Sequence, residues 1–426
     1  MMSREWGPWV EWLPLVVTCG VAPFFLFPTP RTLWIFPAVL LGWALRGAVR
    51  GRMLARTKLD WPLAVILAQV FIACLRVPDI NFSLPKVAGI VLGISLFYAL
   101  MILPASGRSP RLILYAFAAG GLILSLLGLF GLIWHAAYWW SEKPFFKVVD
   151  AFSRFIPKIN LGLPGAETGF NSNALGGTLL LIFPLVASFF FDSSILGGKH
   201  GRGRRPILKF AGWGLALGLM SITLFFTQSM ICWLAAGLSI WLLVLDRRWK
   251  IRSGVILALI IGLLFVSGTF RRAGLRAESA SRFISTRVGG HAYYWRAGLD
   301  AIALQPLWGV GPNRLRLDPR IGYEKAHAHN QLIHTGAELG LPALGAYVLI
   351  LIGIGSMSRA VWQAAKKGWR KPAIQGLAAG QLAFVLFGLG DAIPLGSKAG
   401  LVFWVSLGLI VLLYNEAMDF YPGIRI

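Results

Sequence analysis

The run KVAGIVLGISLFYALMIL, residues 86–103, carries one charge at its first position and none after it. A helix needs about 20 such residues to cross the hydrocarbon core of a bilayer. Lipid offers no hydrogen-bond partners, so a long apolar run must satisfy its own backbone, as a helix does. Similar runs recur at about 12–29, 32–45, 61–76, 111–134, 173–192, 207–226, 228–245, 253–269, 337–356, 373–392 and 398–414. With the first, these make about twelve candidate spans. Pro28 and Pro30 interrupt the first hairpin. The expected fold class is an all-α integral membrane protein. Composition agrees: the 426 residues are 57% hydrophobic and 14% charged, too little polar surface for a soluble domain of this length.

Cys19, Cys74 and Cys232 all fall in apolar runs and read as small buried hydrophobes rather than a disulfide or metal framework. The 18 tryptophans suit interfacial belts. The opening MMSREWGPWVEWLP has no basic–apolar–small pattern of a removable signal, so none is expected.

The net charge of +24 gains meaning once it is placed along the chain. With the N-terminus inside, five short inner loops hold Arg46 to Lys58, Arg108 and Arg111, Lys199 to Lys209, Arg247 to Arg252, and Arg359 to Lys371. The opposite orientation puts all those cations outside, so both termini are expected in the cytoplasm. The chain then divides into N-terminal spans (1–134), an outer amphipathic segment (135–172), central spans (173–269), a large outer loop (270–336) and C-terminal spans (337–426). Residues 135–172 mix aromatic and charged positions, as an interfacial helix does. The larger loop is basic: Arg271, Arg272, Arg276, Arg282, Arg287, Arg296, Arg314, Arg316, Arg320 and Lys325 face only Glu278, Asp300, Asp318 and Glu324. Cations on the outer side oppose the topological bias. Guanidinium forks bind phosphate bidentately, so an outward-facing diphosphate is the expected ligand, with lipid headgroups the simpler alternative. Membrane lipids are expected partners and nucleic acid is not.

Where that loop re-enters the bilayer stands AHAHNQLIHTGAELGLPALGAY, residues 326–347, with three of the six histidines. Wound as a helix, His327, Asn330, Gln331, His334 and Glu338 share one stripe, and His329 points nearly opposite. Otherwise the helix begins after His329 and leaves it free to turn toward the loop. A neutral imidazole can accept a proton at physiological pH, and nearby cations keep it neutral. A metal site is not expected, because HAH does not put two rings on one helical face and no carboxylate pair stands nearby. No phosphate loop or dinucleotide fingerprint is present, so no nucleotide cofactor is expected. Asp391 is an acid at the outer end of a span, a functional candidate or a partner for Lys398 or a loop arginine. Glu338 either orients a histidine or bonds to a neighbouring helix. Gly309 and Gly311 suit a tight turn, and Asn171 and Asn173 suit a helix cap.

Several segments are similar to one known family. HNQLIHTGAELGLPALGAY resembles the HN-x-x-L…E-x-G-x-x-G segment of the bacterial O-antigen ligases and their O-antigen polymerase relatives. WRAGLDAIALQPLWGVGPNR, 295–314, resembles that family's W-x-x-A…P-L-x-G-V-G segment, and GFNSNALGGTLLLIFPL, 169–185, its N-x-N-x-L-A span entrance. FFTQSMICWLA, 225–235, matches its T-x-S-R span in part: Met230 stands where arginine is expected, as does His291 four residues before Trp295. The resemblance covers roughly 165–415. It implies a GT-C-like glycosyltransferase of the bacterial inner membrane, needing neither nucleotide nor metal. Its active site would face the periplasm and take glycan from undecaprenyl diphosphate. His329 matches the family's essential histidine, with His327 a possible second. Arg287 is the first choice for the diphosphate, then Arg282, Arg296 and Arg314.

The function this resemblance implies is an O-antigen ligase, passing polymer to a lipid A-core hydroxyl with inversion. An O-antigen polymerase, joining carrier-linked repeats, differs only in its acceptor. A lipid-linked glycan transporter would need polar groups through the membrane. The span interiors hold few beyond Gln69 and Gln381.

Overall fold

The computed structural model describes residues 7–102, 109–131, 171–192, 204–227, 229–244, 277–317, 327–365 and 368–418. Of residues 7–9, 33, 204–207, 209, 230, 244 and 277–290 it describes the backbone alone. All regular structure among the described residues is helical. The helices are α1 (Gly7–Leu26), α2 (Phe36–Arg50), α3 (Asp60–Arg76), α4 (Ile80–Ile102), α5 (Pro110–Gly131), α6 (Ser172–Leu179) and α7 (Phe183–Phe190). They continue with α8 (Arg204–Phe226), α9 (Met230–Val244), α10 (Ala277–Leu304), α11 (Gln331–Ala364), α12 (Arg370–Phe387) and α13 (Leu401–Ala417).

Five helical stretches among these are long and apolar enough to cross a membrane: Pro30–Arg50, Ile80–Ile102, Pro110–Gly131, Ser172–Phe190 and Gln331–Ala364. Four shorter apolar helices join them. A multi-pass helical membrane protein is what this pattern describes. Twelve spans are not established by it, and the candidate at 253–269 lies outside the described residues.

Local chemistry explains the breaks. Pro28 precedes, and Pro30 opens, a 3-10 turn, Pro30–Ile35, leading into α2. The expected single span at 173–192 is two short helices, α6 and α7, with Pro184 in the first turn of the second, where a missing N–H costs nothing. Asn171 caps α6, its side chain accepting from the Ala174 N–H, whereas Asn173 lies inside the helix.

The bundle packs α4 against α1 and α13, α11 against α3, α10, α12 and α13, and α12 against α7 and α9. Its core is continuous and apolar, with Trp404, Tyr347, Phe97, Phe384 and Phe403 among its largest buried side chains.

α11 is broken near its start. Gly340 adopts φ 82°, ψ 170°, and Pro342 has no N–H to give to Glu338. The Leu341 N–H turns instead to Pro306 O at 2.7 Å. The carbonyls of Ala337 and Glu338 are thus left over. They accept from Val310 N at 2.9 Å and Gly311 N at 3.0 Å. Irregular backbone inside a bundle survives only when protein satisfies it, and here PLWGVG does so for ELGLP. Gly309 and Gly311 sit at φ 66° and 100°, and a Cβ on Gly309 would collide with the Glu338 backbone. The expected tight turn is therefore a strap, its amides committed to the broken helix.

Candidate active site

The break and a cap place the titratable groups. Asn330, itself extended, caps α11, its side-chain oxygen accepting from Leu332 N at 3.0 Å and Ile333 N at 3.1 Å. The helix therefore starts at Gln331, and His327, Ala328 and His329 precede it. His329 is free of helical register, in a left-handed backbone conformation at φ 48°. Three bonds tie this entrance to the segment after α12. Gln331 N donates to Gly388 O at 2.7 Å, Asn330 Nδ2 to Leu389 O at 3.3 Å, and Ile393 N to Gln331 Oε1 at 2.9 Å. They carry Asp391 to the histidines.

His329 Nδ1 lies 3.1 Å from Asp391 Oδ1, and His327 Nδ1 lies 3.5 Å from the same oxygen. The two imidazole centroids are 4.4 Å apart. α10 closes over His329 from the other side. The Tyr294 ring stacks on it at 4.7 Å, the Trp295 indole N–H donates to its carbonyl at 3.1 Å, and the His291 ring stands 5.5 Å away. His291 itself meets Gly390 O at 3.1 Å, beside Asp391. Side-chain exposure separates the members: 22% for His329 and 27% for His327, against 6% for Asp391. A hydrogen bond from Nδ1 to a buried carboxylate fixes the imidazole tautomer and leaves Nε2 as the acceptor.

Charge follows environment. Burial pushes His327 down to about 4, reinforced by His329, His334 and Lys86 and only partly opposed by Asp391. It is neutral at physiological pH. Burial alone would raise Asp391, but the His329 hydrogen bond, the His327 and His329 charges and the Ala392 N–H hold it below the ordinary carboxylate value. The acid is therefore an anion beside two imidazoles.

A second cluster lies deeper. Lys86 Nζ of α4 is 2.6 Å from Glu338 Oε1, and Glu338 Oε2 is 3.3 Å from His334 Nε2 one turn back on α11. Glu338 Oε1 also accepts from Asn313 N at 2.9 Å, while Asn313 Nδ2 donates to Phe82 O at 2.9 Å. Glu338 thus both meets a histidine and bonds to a neighbouring helix, joining α4, the strap and α11 at one carboxylate.

The expected residues divide accordingly. His327, His329 and Asp391 come together, and Glu338 lies in the adjoining cluster. Lys398 stands 3.7 Å over the Phe27 ring. Arg314 lies past the strap, lining a cavity of about 270 Å3 with Arg76, Gln305 and Trp308. Arg296 is exposed on α10. Arg282 and Arg287 belong to α10's helical backbone, and their side chains lie outside the described residues. Sequence reading overlooked Lys86, Tyr294, Trp295, Asn313 and Arg76. The lone lysine heading an apolar run was the signal for Lys86.

A metal site was not expected at HAH, and the structure differs from that expectation on one point. A helix through HAH would keep the two rings apart, but these residues precede the helix, and Asp391 arrives from a distant segment. Donor atoms of His327, His329 and Asp391 lie within 4.8 Å of one another, a spacing a divalent cation could bridge. The same trio, with His329 bonded to Asp391, equally serves proton transfer without one.

Among curated proteins, none matches the chain. Residues 215–348, which take in α10, the strap, both histidines and the broken start of α11, match the family model described as O-Antigen ligase, and this supports membership of the O-antigen ligase/polymerase family.

Proposed function

We propose that the protein is an O-antigen ligase. It transfers O-antigen polysaccharide from undecaprenyl diphosphate to lipid A-core at the periplasmic face of the bacterial inner membrane, with inversion and without metal. The observation that carries this reading is the His329–Asp391 pair, whose Nδ1–carboxylate contact at 3.1 Å leaves Nε2 of a partly exposed imidazole as a base. Nε2 takes the proton of an acceptor hydroxyl as its oxygen attacks the anomeric carbon. The bond from that carbon to the diphosphate oxygen breaks, and the proton passes from the imidazolium to solvent. Asp391 stabilises the imidazolium. The diphosphate is already a good leaving group, so positioning and charge stabilisation suffice at the reacting end. Loop arginines, Arg287, Arg282, Arg296 and Arg314, supply the charge that balances it.

Transport is less well supported. The described ionisable groups of the site gather at one end of the bundle, and Gln381 inside it is bonded to Ser406 at 3.0 Å. The test is reconstitution with carrier-linked O-antigen and purified lipid A-core. Polymer appearing on lipid A-core is the expected result. Growth of carrier-linked chains in its place identifies a polymerase, and no transfer to either acceptor sinks both enzymatic readings.

A further inference from the structure

Another cavity opens at the end of the bundle away from the histidines. α11 reaches that end: Arg359 stands roughly 40 Å of helix beyond Gln331, more than the ~30 Å hydrocarbon core of a bilayer. α12 packs on both α9 and α11, and between the ends of the three lies a space of about 380 Å3. That falls within the roughly 300–1,000 Å3 of small-molecule sites. Leu243, Leu382 and Trp362 wall it, and no carboxylate lines it. Gly355 leaves one side bare, since a Cβ there would meet nothing within 4 Å. Ser358, also lining it, is only 6% exposed, and its hydroxyl has no hydrogen-bond partner among the described residues. A buried hydroxyl left so is costly unless something entering the cavity bonds to it. Arg359 lines the cavity and is exposed, and it forms no ion pair among the described residues. Lys371 Nζ lies 5.4 Å from the Trp362 ring centroid, at the rim. Its neighbour Arg370, by contrast, is held by Glu416 at 2.8 Å. The chain that joins α11 to α12, AKKGWRK, is basic throughout.

We propose that this cavity is a binding site for an anionic glycerophospholipid of the leaflet opposite the histidine site. Each part of such a lipid has a counterpart. The Arg359 fork takes the phosphate oxygens, with Lys371 adding a second positive charge beside it. The Ser358 hydroxyl donates to an ester carbonyl. An acyl chain lies along Leu243 and Leu382 over the bare Gly355, and the Trp362 indole stands at the boundary between chain and headgroup. Basic pockets between membrane helices bind anionic headgroups in this way. A zwitterionic lipid carries the same phosphate but brings an ammonium toward two cations, so net negative charge is what the site selects. The bound chain fills the space between α9 and α11, which α12 alone otherwise bridges there. The lipid therefore acts as a wedge that stabilises the ends of three helices. The site rests on no part of the transfer reading.

The experiment titrates the purified, delipidated full-length protein in detergent at fixed ionic strength. The probes are dioleoyl phosphatidylglycerol and dioleoyl phosphatidylethanolamine, with bound lipid counted by native mass spectrometry and the thermal midpoint followed in parallel. Phosphatidylglycerol is expected to bind about tenfold or more tightly than phosphatidylethanolamine and to raise the midpoint. Arg359→Gln is expected to remove most of that preference, from loss of charge-assisted hydrogen bonds, and Lys371→Gln a smaller part. Gly355→Leu is expected to weaken both lipids by filling the space for the chain; it displaces no protein atom, so it should fold even if Arg359→Gln does not. His329→Ala is expected to bind both lipids as wild type does. Equal affinity for the two lipids in wild type overturns the site, as does a preference that survives in every folded variant. Binding that falls in Arg359→Gln but not in Gly355→Leu overturns the cavity as the seat of the chain.

Discussion

Two ionic clusters sit side by side at the start of α11, one open and one closed. His329, His327 and Asp391 lie ahead of the helix, with both imidazoles partly exposed. Lys86, Glu338 and His334 are buried within the bundle, each of the three under a tenth exposed. Their chemistry is alike: a carboxylate, one or two imidazoles, and hydrogen bonds between them. Access separates them. A buried ion pair is costly to form and more costly to break, so it acts as a fixed joint. A partly exposed imidazole backed by a buried acid can meet a substrate hydroxyl and exchange a proton. One motif of twenty-odd residues supplies the imidazoles of both and Glu338, because the helix starts and breaks within it, while Asp391 and Lys86 come from distant segments.

The sharpest way to break this comparison is to truncate each cluster separately. His329→Ala is expected to lower transfer by about 10²–10⁴-fold while leaving the thermal midpoint unchanged. Equal loss of activity and stability would erase the distinction between the clusters. Lys86→Met should behave the opposite way. It leaves Glu338 buried without its cation, a cost of about 3–5 kcal/mol, seen as lost folding or a much lowered melting temperature. A Lys86→Met protein that melts like wild type would show that the inner cluster is no joint.

Acid gives a smaller and more specific effect. His327 is held at about 4 when folded and titrates near its ordinary 6.5 when unfolded. Unfolding therefore takes up a proton across that window. The stability contributed by keeping His327 neutral is full above pH 6.5 and declines as pH falls toward about 4. Asp391, held low, contributes its own loss only below the ordinary carboxylate range. Melting temperatures measured from pH 7 to pH 4 should fall, and His327→Asn should flatten the curve in that interval. The smallest effect expected is that of chelation. Transfer should be unchanged by EDTA, whereas added zinc should inhibit by bridging the open trio and leave the closed cluster untouched. Transfer abolished by EDTA and restored by metal would turn the open cluster into a metal centre.

Much of this was readable from residue order alone. Apolar runs specify membrane helices because lipid leaves the backbone no other partner. The motif HNQLIHTGAELGLP contains its own cap, Asn330, and its own break, Gly340 and Pro342. Those local rules placed His329 outside the helix, as one of the two alternatives anticipated. The family resemblance read at 295–347 falls within the matched stretch, up to residue 347.

Residue order could not reveal partners. Asp391 was visible as an acid at a span end, but its pairing with His329 depends on three hydrogen bonds between segments nearly sixty residues apart. Lys86 looked like the cation heading a span, and only the packing of distant helices set it against Glu338. Arg76 and Arg314 share a cavity for the same reason. Spacing along the chain determines local turns, caps and breaks, because those depend on neighbours within a few residues. Which charges meet is a property of close packing between helices, and only the tertiary structure decided it.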